Sequence, residues 1–322
     1  MTRTPPYRLS TDAEPAVDAG SVLLCVTHGE ASGDVPPWEL RTGLPHLAGP
    51  QREWWLSDTP VRDLGNGDLG LRANADIGFG KLGIPEAALR SDCAAACETA
   101  FARILEVLPA AGLPHLLRSW IYLGHIHAGT GDAERYRQFC VGRGRALAAA
   151  GLGASAFPAA TVIGRPIDGA SLHFLAGREP AEAIENPRQT SAFDYPRRYG
   201  PQPPSFVRAQ RTRWGALIVS GTAAVVGHES RHPGDTAAQL RETERNLAAL
   251  REAAGGEWQP RRAVVYLRDS AELSLAQSLS LGGDVSVLQG AICRPELMVE
   301  IEALYEPAGD GPKAGSRPAL SP

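Results

Sequence analysis

The sequence predicts an α/β (α+β) protein built from two tandem units, each a mixed sheet packed by helices. Three observations support this. At 322 residues the chain exceeds one ordinary core, and a prior of about 150 residues per domain suggests two. Short β-branched runs alternate with amphipathic stretches. One order of elements also occurs twice at one spacing: from a helix start at Ser91 to a strand centre at Tyr122 is 31 positions, and from Asp235 to Tyr266 is again 31.

Taken in order, residues 1–18 are polar and proline-bearing and read as a flexible N-terminus. The strand SVLLCVTH opens the first unit, residues 19–184. Its helix is expected from Ser91 through CAAACETAFARILEVL, with Cys97, Phe101, Ile104, Leu105 and Leu108 on one face. Pro109 and Gly112 close it, and the strand SWIYLGHIH follows. Residues 133–150 read as a further helix with Asp132 as N-cap. FPAATVIG and ASLHFLAG read as strands. The proline-rich stretch 178–204 has no period and reads as a long ordered connection, a kind of segment that is often functional. The second unit spans 185–306. It begins with the strand ALIVSGTAAVVG. Thr236 and Gln239 then form a capping-box pattern for a helix striped by Leu240, Leu247 and Leu250. Gly255 and Gly256 stop that helix. The strands AVVYLRD, DVSVLQGAIC and LMVEIEALY complete the unit, and residues 307–322, rich in Gly, Pro and Ser, read as a flexible tail.

A net charge of −4 and a pI near 6.1 argue against a nucleic-acid or anionic-membrane partner. No run approaches the roughly 18 apolar residues of a membrane helix, and the N-terminus lacks a secretory apolar stretch. Five scattered cysteines do not suggest a disulfide framework, so a cytoplasmic setting is expected. GxGxxG, GxxxxGK, GxSxG and HExxH are all absent, which counts against nucleotide enzymes, common serine hydrolases and zinc proteases. Cys93 and Cys97 sit one helical turn apart among alanines and read as core. His125 and His127 share one side of the expected strand with no carboxylate or cysteine pattern nearby, so no metal is expected. His228 and His232 precede the second helix, where structural and catalytic readings are equally open.

Two stretches carry chemistry. Residues 185–210, ENPRQTSAFDYPRRYGPQPPSFVRAQ, gather Arg188, Arg197, Arg198 and Arg208 with Tyr195 and Tyr199. Guanidinium groups bind carboxylates through paired hydrogen bonds, and a tyrosine hydroxyl can add another. A planar dicarboxylic guest suits such a set, while some of these arginines are expected to be solvated. Near the end, CRPELMVEIEALY puts Glu300 and Glu302 on one strand face, with Val299 and Ile301 opposite. An acid flanked by apolar neighbours can have its pKa raised and serve as a general acid. A solvated edge strand fits the same pattern.

LIVSGTAAVVG, the helix around 239–246, AVVYLRD and PELMVEIEALY resemble the YjgF-like (chorismate-mutase-like) superfamily of small trimeric imine and enamine deaminases. In its recurring VEIEA ending the first glutamate, Glu300 here, is a site residue. Residues 284–288 lack the arginine those deaminases carry, so imine hydrolysis is not expected. Over about residues 20–305 the chain is more similar to the chorismatases, which fuse two such units. RSWIYLGHI, ERYRQFCVGRGRAL, FPAATVIGRP, the 185–209 stretch, SGTAAVVGHESRHPGD and CRPELMVEIEA carry that similarity.

The resemblance implies a small-molecule substrate, chorismate, and no metal or organic cofactor. Glu300 would protonate the enolpyruvyl methylene and let pyruvate leave. Arg208 and Tyr195 would hold carboxylates, with Arg188, Thr222 and Ala209 completing the substrate-binding set. Glu53, in REWW, would be a second acid near the ring. The ring product is 3-hydroxybenzoate, 4-hydroxybenzoate or a dihydroxycyclohexadiene carboxylate, depending on the branch. A cysteine seven positions before the catalytic glutamate marks the aromatising branch, and Cys293 fits. A second marker is glycine in that branch and alanine in the hydrolysing one; placed at Ala209, it points the other way. A non-catalytic carboxylate-binding module is the alternative of another class, and the presence of Glu300 counts against it. Both monomer and trimer remain open.

Overall fold

Strands His115–Gly124 and Val299–Pro307 are buried along almost their whole lengths. A strand buried on both faces needs a covering layer on each side. The computed structural model describes residues 4–13, 15, 17–29 and 34–308, and in it helices cover one side and a second sheet the other.

The first sheet runs in the spatial order Ala159–Arg165, His115–Gly124, Ala170–Gly177, Ile77–Ile84, Gly70–Ala73, Arg62–Asp63. The second runs Asp284–Gln289, Trp258–Leu267, Val299–Pro307, Leu217–Ala223, Ala209–Arg211, Glu182–Ile184, with His46–Ala48 added beside Asp284–Gln289. In each, the strand after the long helix pairs parallel with the next strand and antiparallel with the last. Tyr122 lies opposite Ser171 and Tyr266 opposite Glu300. The repeated spacing of 31 in the sequence therefore marks two copies of one unit.

Helices Cys93–Ala110 and Arg135–Ala149 pack Phe101, Ile104 and Phe139 on the outer face of the first sheet. Helix Thr236–Ala254 lays Leu240, Leu247 and Leu250 over Val299 and Ile301 of the second. The inner faces meet in a shared core, with Phe79, Tyr122 and Leu175 against Ile218, Val264, Tyr266 and Leu304. A smaller sheet, Glu39–Arg41, Val22–Thr27, Arg52–Leu56 and Arg8–Ser10, repeats the same order of parallel then antiparallel pairing. Its Leu24, Val26 and Trp55 enter the same core.

Several expectations change. Arg8–Ser10 lies within the stretch read as a flexible N-terminus, yet it pairs with Arg52–Leu56, and the Tyr7 ring meets Trp55 at 4.8 Å. Glu182–Ile184, placed by sequence in the first unit, pairs into the second sheet. Residues 309–322 of the expected tail lie outside the described residues. The N-caps are Asp92 and Asp235, whose side chains accept from Ala95 N and Ala238 N, rather than Ser91 and Thr236. Gln239 is not a capping-box partner. It donates to the carbonyls of His232 and Glu296 and accepts from Met298 N. Asp132 does not cap the middle helix, which begins at Arg135; it pairs with Arg197 instead. His125 follows the strand end at Gly124 with a left-handed φ of 51°, so the two histidines do not share a strand face. The strand Ile77–Ile84 escaped sequence reading because of its glycines. Gly80 is required there, since a Cβ would stand 2.1 Å from the Phe174 ring. Among the described residues no helix is long and apolar enough to cross a membrane.

Candidate active site

On the last strand, Val299, Ile301 and Ala303 face the helices. Alternation then turns Glu300 and Glu302 to the inner face, where they are only 5% and 8% exposed. The solvated-edge reading is thereby removed. The two carboxyls differ in their partners. Arg118 Nη2 donates to Glu302 Oε2 at 2.8 Å, and Trp120 Nε1 donates to Oε1 at 3.0 Å. The Glu300 carboxyl has no such donor among the described residues. Burial, aided by the neighbouring Glu302 charge and opposed by Arg118 and Arg208, pushes its pKa up to about 8. Glu300 therefore holds its proton at neutral pH.

Glu300 abuts Gly221: a Cβ on that glycine would lie 1.9 Å from Glu300 Oε1. Gly221 N in turn donates to Thr161 Oγ1 of the first sheet at 3.0 Å. A cavity of about 290 Å³ opens at this seam. The first unit contributes Ala160 and Val162 from its edge strand and Tyr136 from its helix. The second contributes Gly221, Ala223, Cys293 and Glu300, and the 185–210 stretch adds Gln189, Tyr195, Phe206 and Arg208. Both units build the site, so the expectation that the C-terminal unit alone carries it is too narrow. The seam is fixed by Ser220, whose hydroxyl accepts from Ala160 N and donates to Val207 O.

Arg208 is 5% exposed and only partly satisfied. Its Nη2 donates to Tyr195 OH at 2.7 Å and Thr190 O at 2.8 Å, while its buried Nε has no partner. Phe206 and Tyr195 flank the guanidinium and hold it flat. Arg294 stacks on Tyr199 at 4.0 Å and donates to His228 O. Arg198 Nη2 donates to His228 Nδ1 at 2.9 Å, which uses His228 structurally at the rim. Burial and the Glu300 charge push the Cys293 thiol up to about 12, so this cavity wall is a neutral S–H.

Four residues singled out from the sequence lie elsewhere. Glu53 is in the inter-sheet core, where it accepts from Arg262 Nε and Trp55 Nε1, both at 2.7 Å. Ala209, next to Arg208, points to the opposite side and is buried between Ile184 and Val219. Thr222 is buried and spends its hydroxyl on Ser220 O. Arg188 is taken by Glu242 and by Asn246 Oδ1. Conversely, sequence reading passed over Gly221, Gln189, Tyr136 and Arg294. Gln189 gave no signal at all, although its buried Oε1 faces the site region without a donor.

A buried neutral acid beside a half-satisfied arginine and aromatic walls could serve as a general acid toward a small anionic molecule. Comparison with known proteins agrees. Residues 53–176 match the family model described as "Chorismatase FkbO/Hyg5-like, N-terminal". The chain is 35% identical over 277 residues to a chorismatase of Streptomyces rapamycinicus, covering 78% of this chain and 81% of that one. It is 36% identical over 233 residues to a 3-hydroxybenzoate synthase of Streptomyces hygroscopicus, covering 65% and 68%. A chorismatase crystal structure superposes with a TM-score of 0.80 at 29% identity, over 94% of this chain and 98% of that one. The chain belongs to the chorismatase family.

Gly221→Ala is expected to push Glu300 out of place and lower turnover about 100-fold, the order of loss for a misplaced reacting group. Steady-state kinetics with a thermal melt checks this; an active, folded variant would show that the close contact is dispensable.

Proposed function

We propose that this protein converts chorismate to pyruvate and 3-hydroxybenzoate by general-acid protonation of the enolpyruvyl ether. The observation that carries the reading is Glu300, a carboxylic acid kept protonated at neutral pH on the wall of a cavity that also holds Arg208. Chorismate presents a ring carboxylate and a second carboxylate on the ether side chain. Arg208 with Tyr195 would hold one, and Arg294, which also lines the cavity, is a cation available for the other.

Glu300 gives its proton to the side-chain methylene, and positive charge develops on the ether carbon and oxygen. The oxygen–ring bond then breaks, its electron pair staying on the oxygen, which becomes the keto oxygen of pyruvate. Rearrangement within the ring and loss of one ring proton yield the aromatic product and return a proton to Glu300. Pyruvate and hydroxybenzoate together account for every atom of chorismate; the hydrolysing branch would add one water. Cys293 supports the aromatising branch, because a neutral thiol beside the acid fills space without offering a base or ordering water. The small residue opposite Glu300 in the sheet register is Ala223, which lines the cavity where Ala209 does not.

The cavity is lined by residues of one chain, and three sheets of that chain close the shared core. We therefore infer a monomer acting in the cytoplasm, a setting that suits its five free cysteines. Light scattering is expected to give the mass of one chain, and a trimer would overturn this inference.

Incubation with chorismate, with pyruvate and ring product followed by chromatography and mass, tests the reaction. Glu300→Gln is expected to lose about 10²–10⁴-fold in turnover while remaining folded. The acid must be protonated, so activity should hold below about pH 8 and fall above it. Binding without pyruvate release would favour a carboxylate-binding module instead. Cys293→Ala should divert product toward the hydrated diene, and an unchanged product ratio would remove the cysteine from the branch choice.

A further inference from the structure

Two buried carboxyls, two residues apart on one strand face, cannot both be anionic unless cations offset them. The structure commits one buried arginine to this pair, and its hydrogen bond goes to Glu302. Arg118 Nη2 bonds Glu302 Oε2 at 2.8 Å and Thr161 Oγ1 at 2.6 Å, with the guanidinium stacked 4.9 Å from the Trp120 ring centre. Trp120 Nε1 donates to the other Glu302 oxygen. The same Thr161 hydroxyl accepts from Gly221 N, so one threonine fixes both the seat of Glu302 and the glycine against which Glu300 lies.

We propose that Glu302, held as an anion by Arg118 and Trp120, is the positioning residue that keeps Glu300 in its proton-bearing form. Glu302 does not line the cavity, so it acts through Glu300 and never touches substrate. The proposal rests on the general-acid reading given above.

The groups facing Glu300 are Glu302 on its own strand, Arg118 from the neighbouring sheet, Arg208 from the connection, and Cys293 and Tyr136 on the cavity wall. Burial raises both the thiol and the phenol, so these two stay neutral. Burial raises the Glu302 carboxyl too, but Arg118 and the hydrogen bonds of Thr161 and Trp120 oppose that rise. The balance at Glu300 is then one paired anion against two cations, in a space where burial already favours the acid. Remove the anion and Arg118 is free to pull Glu300 toward ionisation. The first unit offers a contrast. At the two matching register positions it carries Ser171 and His173, so neither the acid nor its anionic neighbour is present.

The test is Glu302→Gln, which preserves shape and an acceptor for Trp120. The Glu300 carboxyl is followed by ¹³C NMR in glutamate-labelled protein, assigned with Glu300→Gln, alongside kcat/KM against pH. Both the Glu300 titration and the alkaline limb of activity are expected to move down by about one pH unit or more. Glu302→Asp, which keeps the charge, should return both toward the parent. Because an unpaired buried Arg118 can unfold the chain, Glu302→Gln with Arg118→Met serves as a second sample, with a smaller shift in the same direction. A folded variant whose Glu300 titrates like the parent overturns the proposal. The NMR reading needs no chorismate. If the titrations shift as expected while the parent fails to turn over chorismate, the assigned reaction fails and the role of Glu302 stands.

Discussion

The contact on which the rest of the molecule depends is Arg118 of the first sheet reaching Glu302 of the second. Taking both ions out of water costs several kcal/mol apiece, and such a pair survives only with close geometry and further hydrogen bonds. Thr161 and Trp120 provide those bonds. The geometry also fixes register. A slip of one residue in Val299–Pro307 would turn both glutamates toward the helices and leave Arg118 buried without a partner. The charge pair thus specifies how the two units face each other, a constraint that apolar packing between two similar sheets would impose more weakly.

The cavity follows from that alignment. Once Glu302 is seated, the strand's alternation delivers Glu300 to the same face two residues earlier, at the seam where the first unit's edge strand meets Leu217–Ala223. Gly221 leaves the space that the carboxyl occupies. On the cavity wall, Arg208 lies among aromatic rings with its buried Nε still unpartnered. One acid is therefore kept neutral while one arginine remains available to an anion, which is the asymmetry that protonating a dianionic enol ether requires.

How much of this was legible in the sequence depended on which residues report on their own environment. The duplication was visible because helix length and loop length are local quantities, and they recur unchanged. Glu300 was visible through the alternation of VEIEA, although alternation alone could not separate a buried face from a solvated one. Glu53 shows the limit. The resemblance implied a second acid near the ring, but Glu53 lies in the inter-sheet core and its partner Arg262 is 209 residues away. Nothing local announces that contact. Ala209 lies outside the cavity for the opposite reason: it adjoins Arg208, which lines the cavity, and a single step along a strand reverses the side chain. Gly78, Gly80 and Gly83 hid a whole strand because the signal read from sequence is side-chain pattern, and at Gly80 the space is filled by Phe174 from the next strand.

The internal repeat also shows where a buried carboxylate can stand. Arg118 and Arg262 stand four residues before Tyr122 and Tyr266, and each reaches an acid on the next sheet, Glu302 and Glu53 respectively. Continued once more, the pattern would bring an arginine from the small N-terminal sheet to position 173. Leu24 occupies the matching place there, two residues before Val26, which pairs with Glu53 as Val264 pairs with Glu302. Without an arginine the third position cannot hold a carboxylate cheaply. It is His173, stacked 4.4 Å from Trp120 and pushed down to about 3 by burial, hence neutral. The copy of the strand with histidine in place of the anion also has serine, Ser171, at the position matching Glu300. The small sheet keeps its pair, Arg262 with Glu53, yet carries Gln51 two residues earlier, so a paired anionic neighbour permits a buried acid at that position without requiring one.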